Sequence, residues 1–213
     1  MCDDTRGKTT LLKIMCGILT PTFGDVQILG KNPIKDRYNY TYDIGVVFGQ
    51  RSLLWVDIPV IDSLKLYKNI YEIADEEFFK KIELFDSMLG IKEFLEIPVR
   101  KLSLGQRMKC ELVAALIHNP KIVFLDEPTI GLDIVSKKKV HEFLKDLNDK
   151  FKTTIILTSH DLEDIDELSN EIILMDKGKI VFNDNKNNFL KLDTSKKILV
   201  KGKINITDDL KKY

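Results

Sequence analysis

After Lys8, the apolar residues Leu11, Leu12, Ile14, Met15 and Ile18 recur at helical spacing, predicting a helix from Lys8 to about Ile18. "PTFGD" at 21–25 then turns the chain. Two short apolar runs, Val26–Leu29 and Ile44–Phe48, are each bounded by Gly and predict strands. From Val60 to about Leu95 the chain is rich in Leu, Lys and Glu at helical period, which predicts a separate helical subdomain ending near Pro98.

The second half alternates more regularly. "LSLGQRMKCELVAALIHNP" predicts a helix from about Gly105 to His118, stopped by Pro120. "KIVFLDEP" is a continuous apolar run ending in two carboxylates, the pattern of a strand buried on both faces. A helix at about 134–149, a second buried strand in "TTIILTSH", and a helix at about 161–168 follow. The strand "EIILMD" and the run "GKIVFN" then form a hairpin. Strands alternating with helices predict an α/β fold with a mostly parallel sheet. From about Lys186 the sequence turns to Lys, Asn and Asp, as expected of a tail or of an appended element beginning there.

Composition narrows the classes. With 213 residues, 44% of them hydrophobic and 31% charged, the chain suits a folded domain and not a disordered one. Lys plus Arg and Asp plus Glu are both 33, so the formal net charge is zero, and the electrostatic footprint of a general nucleic-acid binder is absent. Cys2, Cys16 and Cys110 have no metal-ligand spacing, which suits reduced thiols in a cytosolic protein. No apolar run is long enough to span a bilayer, so a membrane role is expected to come through a partner.

The candidate chemistry sits at the ends of these elements. "GKTT" at 7–10 is a weak signal alone, and an ordinary helix start reads equally well. As the end of a phosphate loop it has specific mechanics. Lys8 reaches the β- and γ-phosphates of a nucleotide, Thr9 ligates Mg²⁺, and the helix N-terminus favours the anion. "IVFLDEP" at 122–128 puts Asp126 at the carboxyl end of a buried strand, where open α/β sheets bind ligands. Asp126 suits direct or water-mediated Mg²⁺ coordination, and Glu127 can polarise a water aimed at a γ-phosphate. "LSLGQ" at 102–106 opens a helix whose Ser hydroxyl and N–H groups can hold another phosphate. "GLD" at 131–133, His160 in "LTSH" and Gln50 in "GVVFGQ" complete an ordered series.

In that order and spacing the motifs resemble the nucleotide-binding subunit of an ABC transporter, from Gly7 to about Val181. The resemblance implies a P-loop NTPase, RecA-like, with helices flanking the sheet. The ATPase domain would cover residues 1–185, with a helical subdomain inserted at about 60–118, and a C-terminal extension would start at 186. It implies that Gly7, Lys8, Thr9 and Thr10 are the end of the Walker A loop that holds ATP. Gln50 would be the Q-loop glutamine, touching Mg²⁺ and sensing the membrane partner. Ser103, Gly105 and Gln106 match the signature motif, which binds ATP held by the opposite subunit; Leu104 stands where a second Gly is usual. Asp126 and Glu127 match Walker B and the catalytic glutamate, Asp133 the D-loop aspartate, and His160 the switch histidine at the γ-phosphate. The implied cofactors are ATP and Mg²⁺. The implied partners are membrane permease subunits and a second ATP-binding subunit, as homodimer or heterodimer, with no nucleic acid. The implied place is cytoplasmic, peripheral on the inner face of the membrane. "VVFGQRSLLWVDIPVIDSLKLYKNIYEI" and "PVRKLSLGQRMKCELVAALIHNPKIVFLDEPTIGLD" are further similar to the type-two exporter branch, nearest its drug- or viologen-exporter-like group.

The first residues depart from that pattern. A complete loop reads G-x-x-x-x-G-K-[ST], whereas here Cys2 holds the first Gly position, Thr5 the middle one, and Arg6 stands where a small residue is usual. Asp3 and Asp4 add negative charge beside a polyphosphate, which Arg6 partly offsets. The family's N-terminal β-subdomain, with its adenine-stacking aromatic, and the strand feeding the loop have no counterpart in the sequence. The expectation is an N-terminally truncated domain with weak ATP binding. Two other readings stand beside the transporter ATPase. One is a non-catalytic remnant; the other is a soluble ABC ATPase of translation or DNA repair, against which the single short domain and neutral charge argue.

Overall fold

The computed structural model describes residues 7–49 and 52–192. Helices α1 (Lys8–Met15) and α2 (Arg37–Thr41) precede strand β1 (Ile44–Phe48). Helices α3 (Val60–Ile70), α4 (Asp75–Leu89) and α5 (Leu104–Leu116) lead to β2 (Ile122–Asp126). Helix α6 (Ile134–Phe151) leads to β3 (Thr154–Thr158), and α7 (Leu162–Leu168) follows. Strands β4 (Glu171–Asp176) and β5 (Lys179–Asn185) and helix α8 (Lys186–Leu192) end the described chain.

The first three strands pair in parallel in the order β1-β2-β3. The register matches Phe48 with Asp126 and Asp126 with Thr158, so all three strands end level. Parallel neighbours need crossovers, which the intervening helices supply. Side-chain alternation along the strands feeds two cores. Ile44, Ile122 and Phe124 are buried on one face with Leu12 and Cys16 from the α1 end and Tyr40 of α2. Val47, Val123 and Leu125 face the larger cluster built from α3, α4, α5 and α6. Tyr40 fastens the first layer by donating its hydroxyl to the Met15 carbonyl at 2.7 Å, and Arg37 donates to the Gly17 carbonyl at 2.6 Å. On the other side, α5 lies against β1 so closely that a Cβ on Gly45 would stand 2.3 Å from the Ala115 carbonyl oxygen. β4 and β5 form the expected antiparallel hairpin.

Three expectations shift. Helix α1 ends at Met15, not near Ile18, because Gly17 takes the left-handed conformation at φ +71 and its N–H closes onto the Ile14 carbonyl. Val26–Leu29 is not a strand. Ile28 and Lys31 form a single antiparallel bridge around Leu29 and Gly30, both at positive φ, so the run is spent on a tight turn. β3, expected to be buried like β2, is exposed at Thr154 and half-buried from Ile155 to Thr158, because it is the edge of the three-stranded sheet. The apolar run of β2 is buried at every position from Ile122 to Leu125 because it is the central strand.

Cys16 and Cys110 are buried, unpaired thiols, and burial pushes both pKa values up to about 12. Among the described residues no helix is long and apolar enough to cross a membrane.

Candidate functional site

The level strand ends gather the first group of predicted residues. Asp126 closes β2 in register with Thr158 of β3, whose hydroxyl donates to Asp126 Oδ1 at 2.7 Å. The Thr9 hydroxyl, one residue into α1, lies 3.1 Å from Asp126 Oδ1 and 3.0 Å from Oδ2. Gly7 is the N-cap of α1, and no side chain caps the helix there, so its first N–H groups suit an external anion. Lys8 and Thr10 occupy the same first turn, and no ion pair among the described residues engages Lys8. Thr9 and Asp126 together present hard oxygen donors, the set that suits Mg²⁺.

The second carboxylate is aimed differently. Glu127 follows the strand end at φ +53, a conformation a non-Gly residue adopts at a cost, and its N–H is held by the Thr158 carbonyl at 3.1 Å. The turn carries its side chain to His160, whose Nδ1–H donates to Glu127 Oε2 at 2.8 Å. Glu127 and His160 open onto a cavity of about 310 Å³, also lined by Ile130, Ile134, Lys137 and Glu163. Lys137 bridges Asp161 and Glu163, each at 2.6 Å. Burial opposes its charge, but those two hydrogen bonds outweigh it and hold the Lys137 pKa above the ordinary lysine value. The same contact with Lys137, first among its causes, holds the Asp161 carboxyl below the usual range.

Ser103, Gly105 and Gln106 form a group of their own. Ser103 caps α5, its Oγ accepting from the Gln106 N–H at 3.2 Å while Gln106 Oε1 accepts from the Ser103 N–H at 2.8 Å. Gly105 lets the start of α6 close in, since a Cβ there would lie 2.3 Å from Ser136 Oγ. Asp133 caps α6 and accepts from the Ser136 N–H at 2.9 Å and its hydroxyl at 2.7 Å; these bonds hold its carboxyl below the usual range. Leu104, standing where a second Gly is usual, packs towards Gly131. Among the described residues no hydrogen bond joins Ser103, Gly105 or Gln106 to α1, and none of the three lines the Glu127–His160 cavity. Gln50 and residues 1–6, including Cys2, Thr5 and Arg6, lie outside the described residues.

Sequence reading missed Thr158, Thr129, Lys137 and Asp164. Thr158 had a usable signal, because two parallel strands of equal length that both end in polar residues bring those ends side by side. The other three are joined by contacts between residues 24 to 35 apart in sequence, Lys137 with Asp161 and Thr129 with Asp164, which periodicity does not report.

The chain is similar to known proteins over most of its length. The family model described as ABC transporter matches residues 5–130. The chain is 30% identical over 180 residues to the ABC transporter ATP-binding protein NatA of Bacillus subtilis, covering 84% of this chain and 73% of that one. It is 35% identical over 178 residues to the spermidine/putrescine import ATP-binding protein PotA of Spiroplasma citri, covering 82% of this chain and 49% of PotA. The dimeric structure of a post-hydrolysis state of the ATP-binding cassette MJ0796 bound to ADP and Pi superposes with a TM-score of 0.71 at 25% identity, covering 84% of this chain and 80% of that one. With a strand-end Thr–Asp pair and a Glu–His pair on a parallel sheet, the chain belongs to the ABC transporter family, as its ATP-binding, ATPase subunit.

Proposed function

We propose that this chain hydrolyses ATP at the carboxyl ends of β2 and β3 and drives a separate membrane permease. The observation that carries this is the Glu127–His160 hydrogen bond beside the Thr9–Asp126 pair. ATP would lie with its phosphates over the start of α1, on Gly7, Lys8, Thr9 and Thr10. Thr9 and Asp126, with Gln50, would hold Mg²⁺, which neutralises phosphate charge when bound. Glu127 accepts a proton from a water whose oxygen attacks the γ-phosphorus. The bond from that phosphorus to the β,γ-bridging oxygen breaks, ADP departs, and the proton passes from Glu127 to solvent. His160 holds the Glu127 carboxylate and lies at the γ-phosphate side of the cavity.

The separate position of Ser103, Gly105 and Gln106 supports a head-to-tail dimer in which they hold the ATP of a second ATP-binding subunit, identical or different. Asp133 would stand at the same junction. MJ0796, a structural neighbour, is dimeric. In such a dimer ATP binds the closed state better than the open one, and that difference drives closure. The permease would keep the chain on the cytoplasmic face of the membrane. The export direction and the drug- or viologen-exporter-like group rest on the resemblance of residues 46–73 and 98–133. PotA, at 35% identity, is named for import, and transport assays in inverted vesicles distinguish the two directions.

The decisive experiment is Glu127→Gln. We expect phosphate release to fall by about 100-fold or more while ATP still binds and ATP-bound dimers accumulate on size exclusion. An unchanged rate would remove Glu127 as the base.

A further inference from the structure

Asp164 has no part in the chemistry above, yet it is a fully buried carboxylate at 0% exposure. An ionised carboxylate without partners would be costly there. Its acceptor sites are filled by Thr129 Oγ1, by the Ser159 hydroxyl at 2.7 Å and by His141 Nε2–H at 2.7 Å, with the Lys137 ammonium 3.5 Å away. Burial pushes its pKa up, but the hydrogen bonds from Thr129, Ser159 and His141 outweigh that and hold it below the usual range.

Thr129 lies two residues after Glu127, on the loop that leaves β2. Ser159 immediately precedes His160, on the loop that leaves β3, and its Oγ also accepts from the Asp161 N–H at 3.0 Å. His141 belongs to α6, and Asp164 itself to α7. One carboxylate therefore ties together the segment carrying the general base, the segment carrying its histidine and the two helices behind them. Glu127 sits at a strained φ of +53, and the His160 side chain is 65% exposed, so packing does not hold His160 in place. A 2.8 Å bond between an exposed imidazole and a carboxylate on a strained turn needs outside support.

We propose that Asp164 is a positioning residue for hydrolysis: by holding Thr129 and Ser159 it fixes the two loops whose ends must meet for Glu127 and His160 to pair. This rests on the assignment of Glu127 as the base. Because Asp164 touches nothing at the start of α1, its loss acts on turnover and not on ATP affinity.

The test compares Asp164→Asn, Ser159→Ala and Thr129→Val in the full-length chain. Steady-state ATP hydrolysis is measured together with ¹⁵N NMR of the His160 ring, whose Nδ1 resonance reports whether that nitrogen is hydrogen-bonded. We expect kcat to fall by about 10- to 100-fold in Asp164→Asn and less in each hydroxyl variant, with KM for ATP within about twofold of wild type. The His160 Nδ1 resonance should move towards that of a free imidazole. The Asp164→Asn, Ser159→Ala double variant should be no worse than Asp164→Asn alone, as for groups acting as a unit. Folded variants with wild-type kcat, or an unmoved His160 resonance, overturn the proposal. If Asp164→Asn does not fold, Ser159→Ala and Thr129→Val, which each remove one link, decide by the same criteria. If the wild-type chain itself shows no turnover, the hydrolysis reading fails, and the His160 resonance alone decides the positioning role.

Discussion

The Thr9 hydroxyl reaches both oxygens of the Asp126 carboxylate, at 3.1 and 3.0 Å, across 117 residues of sequence. The contact joins the first turn of α1 to the end of the central strand. It also holds together the two oxygen donors that suit a hard cation, while Thr158 restrains the same carboxylate from β3 at 2.7 Å. Asp126 is thus oriented before any ligand arrives.

That preorganisation predicts a metal-dependent phenotype. Thr9→Val keeps the shape of the side chain and removes the hydroxyl. Its affinity for ATP with Mg²⁺ should fall by about 10-fold or more, whereas affinity for ATP with excess chelator should change little. Isothermal titration with and without the ion separates the two. Equal losses in both conditions would show that Thr9 serves the phosphates and not the ion.

Glu127 invites a different substitution from the one that tests catalysis. Its φ of +53 is a conformation that Gly adopts freely and that a Cβ opposes. Glu127→Gly should therefore gain about 1 kcal/mol of backbone relief, set against the lost hydrogen bond to exposed His160 and the added freedom of Gly in the unfolded chain. The expected outcome is a urea midpoint equal to or above that of the wild type, in a protein that does not hydrolyse ATP. A drop of 2 kcal/mol or more would mean that the Glu127–His160 bond stabilises the fold and not only the site.

How much of this was legible in the sequence depends on how far each feature reaches. The run Ile122–Asp126 reads directly, since a strand buried on both faces needs an unbroken apolar run and its polar end marks the sheet edge. Ser103 and Gln106 read equally well, because a capping box is written within four residues. Val26–Leu29 misleads for the opposite reason: apolarity alone does not reveal that Leu29 and Gly30 turn the chain. Nothing local announces the Thr129–Asp164 contact, whose partners lie 35 residues apart, or the seat of His118 against β1. Such contacts exist only once the strand order is fixed.

His118 is seated against β1. Just beyond α5, its Nε2–H donates to the Ile44 carbonyl at 2.9 Å, and its ring stacks on Tyr71 with centroids 3.9 Å apart. Among the described residues its Nδ1 is the one buried side-chain nitrogen or oxygen with no hydrogen-bond partner. A proton added there would have no acceptor, and the Lys81 ammonium, donating nearby to the Ile117 carbonyl at 2.8 Å, opposes a second positive charge. Burial foremost therefore lowers the His118 pKa from 6.5 to about 4. Above pH 6.5 the ring is neutral in both folded and unfolded chains and titration costs nothing. Between 6.5 and 4 the unfolded chain takes up the proton and the folded one does not, so stability is lost as pH falls through that window. From pH 7 to pH 5 the loss due to this ring amounts to about 2 kcal/mol. Urea unfolding at the two pH values, compared with His118→Phe, measures it. The variant keeps a ring against Tyr71 and is less stable overall because the Ile44 carbonyl loses its donor, but its pH 7 to pH 5 difference should be smaller by about that amount. Equal pH dependence in both proteins would show that His118 binds its proton in the folded chain as readily as in the unfolded one.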